Sequence, residues 1–210
     1  MNGSAYTVYN DYYVLEDRET EALRRKAKLI RKNKKMNITV YLGANPGNSD
    51  RLRSAAEELG AFIGKRGDTL IYGGSKMGLM GVLADSVLAS GGSVIGVEPR
   101  VFVENEFQHS AITQLIVTED MPERKAKMIE LGDAFIAFPG GTGTLDEISE
   151  IMSLVSLNII DQPCILYDLD GYYSGLRELL DTMISYGLSS ESRQNGIHFV
   201  SSISEIEELL

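Results

Sequence analysis

The chain has 210 residues, 43% of them hydrophobic and 24% charged, the proportions of one soluble globular domain of ordinary size. It contains no apolar run long enough to span a bilayer, and no signal-peptide core at its start, so a membrane partner is not expected. The net charge of −10 is uneven: residues 1–36 hold nine Lys/Arg against five Asp/Glu and the remainder eleven against twenty-five, an acidic body that repels nucleic acid.

Residues 1–35 differ in kind from the rest of the chain and are expected to form a charged N-terminal extension, helical or partly disordered. They end in the basic cluster Arg31-Lys-Asn-Lys-Lys35. A solvated helix or frayed leader, with packing on a partner subunit as one use for it, is the favoured reading. A basic arm for a nucleic acid or membrane surface is the alternative, and Met36 is a possible second start.

From Asn37 a regular alternation begins, and residues 36–210 are predicted to form a nucleotide-binding domain. Short apolar runs read as buried parallel strands at Ile38–Leu42, Thr69–Tyr72, Ser93–Val97, Leu115–Thr118, Ala134–Phe138 and Pro163–Tyr167. Amphipathic stretches between them read as helices at Asp50–Lys65, Leu79–Ala89, Pro122–Leu131, Leu145–Leu157 and Tyr173–Tyr186. Gly67 and Gly91-Gly92 stop two of these where a left-handed cap is expected. The alternation implies an α/β, Rossmann-like, doubly wound parallel sheet with helices on both faces. Ligands bind such sheets beyond the carboxyl ends of the strands.

Three of those strand ends are rich in glycine: Gly43-Ala-Asn-Pro-Gly47, Gly73-Gly-Ser-Lys-Met-Gly-Leu-Met-Gly81 and Pro139-Gly-Gly-Thr-Gly-Thr144. Glycine lets backbone N–H groups turn inward around an anion, and a helix follows each loop with the positive end of its dipole. A tight strand–helix turn accounts for any one of these loops; three on one sheet edge point to phosphate. No loop ends in the Gly-Lys-Ser/Thr of a Walker motif. The first lacks the Gly-x-Gly-x-x-Gly of a dinucleotide fold, so NAD and FAD are not expected.

Thr144-Leu-Asp-Glu147 has the spacing of a capping box, and equally of a carboxylate facing a ligand at the nest. Asp120-Met-Pro-Glu123 poses the same choice. Arg124-Lys125-Ala-Lys127 sets three cations near a helix start, where the dipole disfavours them, so something anionic must lie nearby: a salt bridge, or substrate. With one cysteine, Cys164, and two histidines, His109 and His198, no disulfide and no metal cluster are expected, and a reducing cytoplasm fits.

Pro139-Gly-Gly-Thr-Gly-Thr-Leu-Asp-Glu147, Met121-Pro-Glu-Arg-Lys125 and Tyr72-Gly-Gly…Gly-Leu-Met-Gly81 together resemble the LONELY GUY phosphoribohydrolases, long mislabelled lysine decarboxylases. The likeness runs from about Asn37 to Leu210 and includes Asp170-Gly-Tyr-Tyr173. It implies hydrolysis of the N-glycosidic bond of a cytokinin riboside 5′-monophosphate, or of AMP, to free base and ribose 5-phosphate. By resemblance Arg124 and Glu147 are the catalytic pair. Gly43, Gly74, Lys125, Gly140, Gly141, Thr142, Gly143 and Thr144 hold the substrate and its phosphate. It also implies a homodimer and no metal or organic cofactor.

Two segments depart from the family pattern. Gly43-Ala44-Asn45 stands where the family has Gly-Ser-Ser, and Ser153-Leu154…Asn158-Ile-Ile160 where it has Thr-Trp…Gly-Ile-His. The first loses two hydroxyls from the nucleotide side and the second is expected to reshape the base pocket or the dimer seam, so substrate identity does not transfer. The alternatives to the hydrolase are a catalytically weak nucleotide-binding or sensor module of the same fold, and a scaffold acting through residues 1–35.

Overall fold

A computed structural model describes residues 35–103 and 108–210. The readings made of residues 1–34 lie outside the described residues. Seven parallel strands form one sheet in the order β4-β3-β2-β1-β5-β6-β7. They are β1 Asn37–Tyr41, β2 Thr69–Tyr72, β3 Ser93–Pro99, β4 Gln114–Thr118, β5 Ala134–Ala137, β6 Cys164–Tyr167 and β7 Ile197–Val200. The helices are α1 Asp50–Arg66, α2 Gly78–Ala89, α3 Arg100–Val103, α4 Met121–Leu131, α5 Thr142–Ser156, α6 Ser174–Ser185, α7 Glu191–Gln194 and α8 Ile203–Leu209.

The predicted strands and long helices are all present. β7 and α8 were not foreseen, because Ile197-His-Phe-Val200 is short and the helix after it is strongly acidic. The central strands are apolar on both faces because helices cover both; β5 and β6 are buried at every position.

Local chemistry sets the helix ends. Ser49 caps α1 by accepting from the Arg51 N–H, and Gly67 closes it at φ 71°, donating to the Gly64 and Ile63 carbonyls. Along α1, Gly60 and Gly64 face α2 so closely that a Cβ on Gly64 would sit 2.6 Å from the Val87 carbonyl oxygen. Two glycines four residues apart thus let the helices touch backbone to backbone.

The topology positions the site. From β1 the chain steps outward through β2, β3 and β4, then returns to pair β5 on the other side of β1. Ile38 lies beside both Leu70 and Ala134. In sheets of this topology ligands bind above the strand ends where the winding direction reverses, here between β1 and β5. The first and third glycine loops leave β1 and β5 on the two sides of that point.

Candidate active site

The glycine loops meet at that edge. Gly78, at the start of α2, has φ 52°, and a Cβ there would lie 2.0 Å from the Ala44 carbonyl oxygen. Only glycine permits this approach between the first and second loops. Gly74 also has positive φ, 86°. In the third loop a Cβ on Gly140 would strike the Thr144 hydroxyl at 2.2 Å, whereas one on Gly141 or Gly143 would meet no protein atom within 4 Å.

The third loop enters α5 earlier than its sequence suggests. The N-cap is Gly141, without a side-chain cap, and the helix begins at Thr142. The Thr144–Glu147 capping box therefore does not form: Thr144 is already inside the first turn, and Glu147 lies in the second, too far along to reach an N-cap amide. The Tyr172 hydroxyl donates to the Gly140 carbonyl and the Tyr173 hydroxyl to that of Phe138, bracing the loop from the Asp170-Gly-Tyr-Tyr173 segment.

Helix α4 starts with the predicted cap. Asp120 Oδ1 accepts from the Glu123 N–H at 2.9 Å, and Glu123 Oε2 accepts from the Glu119 N–H at 2.8 Å. The box thus closes one residue before the N-cap. The three cations that follow all have anionic partners. Lys127 pairs with Glu130 at 2.6 Å, and Lys125 reaches Asp146 at 3.1 Å and Glu150 at 3.2 Å, joining α4 to α5. Those hydrogen bonds hold the Lys125 ammonium above its ordinary pKa.

Arg124 turns inward. Its Nη1 donates to Glu147 Oε1 at 2.6 Å and its Nε to the Val97 carbonyl at 3.0 Å, with the two side chains each 7% exposed. The pair links α4 to α5. Burial pushes the Glu147 carboxyl above the usual range, and the Arg124 charge opposes that shift. Nη2 lies against the second loop, 2.6 Å from where a Cβ on Gly73 would be.

The structure thus brings Arg124, Glu147, Gly74 and the Gly140–Thr144 loop to one edge, with Gly43 on the β1 side; Lys125 closes the α4–α5 seam. Sequence reading missed the tyrosine brace, although the Asp170-Gly-Tyr-Tyr173 segment stood out. It also missed Glu98, a lone carboxyl ending the otherwise apolar β3, and 1% exposed. Of the two departures, Ala44 contacts the second loop, and Leu157 and Ile159 stand exposed beyond the end of α5. Among the described residues no three His, Cys, Asp or Glu side chains are grouped to hold a metal ion, and no helix is long and apolar enough to cross a membrane.

Comparison with known proteins identifies relatives of this chain. The family model described as "Possible lysine decarboxylase" matches residues 80–210. A cytokinin riboside 5′-monophosphate phosphoribohydrolase of Rhodococcoides fascians is 43% identical over 145 residues, 69% of this chain and 73% of that protein. One of the same name from Arabidopsis thaliana is 36% identical over 173 residues, 82% of this chain and 80% of that protein. The molybdenum cofactor binding protein of Rippkaea orientalis shares the fold, with a TM-score of 0.61, 25% identity, and coverage of 84% of this chain and 95% of that one. The chain belongs to the LONELY GUY family of phosphoribohydrolases, enzymes that cleave an N-glycosidic bond.

Proposed function

We propose that the substrate is a purine nucleoside 5′-monophosphate, AMP or a cytokinin riboside 5′-monophosphate, cleaved to free base and ribose 5-phosphate. One observation carries the reading: a buried Arg124–Glu147 pair, joined at 2.6 Å, beside a helix start that no side chain caps. The first-turn N–H groups of α5 and its dipole suit a dianionic phosphate. The absence of any protein neighbour for a Cβ at Gly141 and Gly143 fits glycines that serve the approach of a ligand.

In this mechanism the phosphate docks on Gly140–Thr144, with Gly43 and Gly74 lining the nucleotide and the Lys125 charge beside the nest. Binding the unreacting phosphate aligns the ribose with Glu147. As the C1′–N bond lengthens, positive charge grows on the ribose ring. The Glu147 carboxylate stabilises it and takes a proton from the attacking water. Arg124 holds Glu147 in place and supports the departing base. No step calls for a metal or an organic cofactor.

We further infer a homodimer in a reducing cytoplasm. Leu157 and Ile159, 58% and 63% exposed, offer an apolar surface near the end of α5, and the one cysteine, Cys164, is a buried thiol.

The test is incubation with a panel of nucleoside 5′-monophosphates, reading released base and ribose 5-phosphate by chromatography. Release is expected, with kcat falling roughly 10²–10³-fold in Glu147→Gln while nucleotide affinity holds. Tight binding of AMP without release from any nucleotide would favour the sensor module instead.

A further inference from the structure

Glu98 ends β3 on the ligand edge of the sheet. Its side chain is 1% exposed, and Oε2 has no hydrogen-bond partner among the described residues. An unsatisfied buried polar group costs about 1–3 kcal/mol, and more when it is charged, so packing gives no reason to keep a carboxyl there. The Tyr72 hydroxyl, at the end of the neighbouring β2, is likewise buried and without a partner.

Both groups adjoin the second glycine loop, against which Arg124 Nη2 lies. A Cβ on Gly74 would lie 3.1 Å from the Glu98 Cβ and 3.4 Å from its Oε2, while one on Gly73 would collide with Arg124 Nη2. Two bare backbone positions thus allow a carboxyl and a guanidinium to settle on the same loop.

Two carboxyls are therefore arranged around one arginine, in unequal surroundings. Glu147 takes the charge-assisted hydrogen bond from Arg124, whereas Glu98 takes none. Among the described residues, the titratable groups that act on Glu98 or feel its charge are Arg124 from α4 and Tyr72 from β2. Burial outweighs the Arg124 attraction and holds the Glu98 carboxyl above the ordinary carboxylate range. Unequal environments of this kind divide acid and base roles between two carboxyls.

Sheet order sets the direction. β3 lies three strands from β5, roughly 14 Å at the usual strand spacing. A nucleotide with its phosphate at the start of α5 and its ribose at Glu147 extends its base toward the β2–β3 end.

We propose that Glu98 is the general acid of the reaction, giving its proton to the base as the bond to ribose breaks. The assignment rests on the phosphoribohydrolase reading above. The C1′–N bond breaks with its electron pair passing to the base, which takes the Glu98 proton. Water forms the new C1′–O bond and gives a proton to Glu147. Exchange with solvent water then returns a proton to Glu98 and removes one from Glu147.

The experiment compares the best purine nucleotide of the panel with the same nucleotide methylated at N7, whose base is already cationic and leaves without a proton. Glu98→Gln is expected to lower kcat on the unmethylated nucleotide roughly 10²–10⁴-fold and to leave the methylated one near the wild-type rate. In the wild type, turnover of the unmethylated nucleotide should fall as pH rises through the titration of Glu98, and that limb should vanish with the methylated one. This second comparison decides the matter even where the variant does not fold. Equal losses on both substrates, no loss on either, or the same high-pH limb for both overturns the Glu98 role and leaves the hydrolase standing. A wild type inactive on both nucleotides overturns the two readings together.

Discussion

Tyr173, just before α6, donates its hydroxyl to the carbonyl of Phe138, the residue after β5, in a buried hydrogen bond of 2.8 Å. The bond ties the third glycine loop to the residue that caps the start of α6. Asp168 fixes the donor in turn, its Oδ1 accepting from the Tyr173 N–H at 2.6 Å. The third glycine loop is thus braced by the Asp168–Tyr173 segment.

Tyr173→Phe keeps the ring and leaves the Phe138 carbonyl without its donor. Stability should fall by about 1–3 kcal/mol in urea denaturation followed by circular dichroism. KM for the nucleotide should rise more than kcat falls, because in the proposed mechanism the loop holds the part of the substrate that does not react. A change in kcat alone would place the effect elsewhere.

Arg124→Ala removes the only hydrogen-bonded partner that the described residues give to a buried carboxyl. Stability should drop by about 3–5 kcal/mol at neutral pH, since Glu147 is left charged or must take up a proton. Activity per folded molecule should be lost as well. Arg124→Lys should restore part of the stability but little of the rate, because an ammonium cannot hold Glu147 and the Val97 carbonyl in one planar fork.

Gly64→Ala tests the α1–α2 contact away from the site. The added methyl would lie 2.6 Å from both the Val87 carbonyl oxygen and the Ser90 Cβ, so the helices must separate. The expected result is a loss of about 1–3 kcal/mol with kcat and KM unchanged. A fall in kcat would show that this contact reaches the site.

Glu98 also gives stability a pH dependence of defined sign. Its pKa in the folded chain lies above the ordinary 4.5, so the folded form binds the proton more tightly than the unfolded one. The contribution is fully present below that ordinary value and is lost as pH rises through the folded pKa. Glu147 is shifted the same way and adds to the trend. Denaturation of the wild type from mildly acid to neutral pH should show stability declining, with a shallower decline in Glu98→Gln. Identical slopes would mean that Glu98 titrates normally.

Much of the molecule was legible in its sequence. Apolar runs such as Ala134–Ala137 and the alternation of runs with amphipathic stretches determined the strands, the long helices and their parallel winding, because both faces of such a sheet must be covered. Glycines at strand ends marked the ligand edge, and Gly67 marked the end of α1, because few other residues tolerate the left-handed backbone found there. The motif around Arg124 and Glu147 was visible too, but the role of Glu147 was not: its spacing from Thr144 fitted a cap and a ligand-facing carboxylate equally well.

Only the tertiary structure excluded the cap. It starts α5 at Thr142 and turns Glu147 toward an arginine 23 residues earlier in the chain. The same holds for Glu98, a residue with nothing unusual beside it in sequence, whose carboxyl comes within electrostatic reach of Arg124 and Tyr72 only because the ends of β2 and β3 lie beside α4. Local sequence carries backbone preference and the apolar pattern. The proton affinity of a carboxyl depends on how far it is removed from water and on which charges stand near it, and both arise only when distant segments pack together.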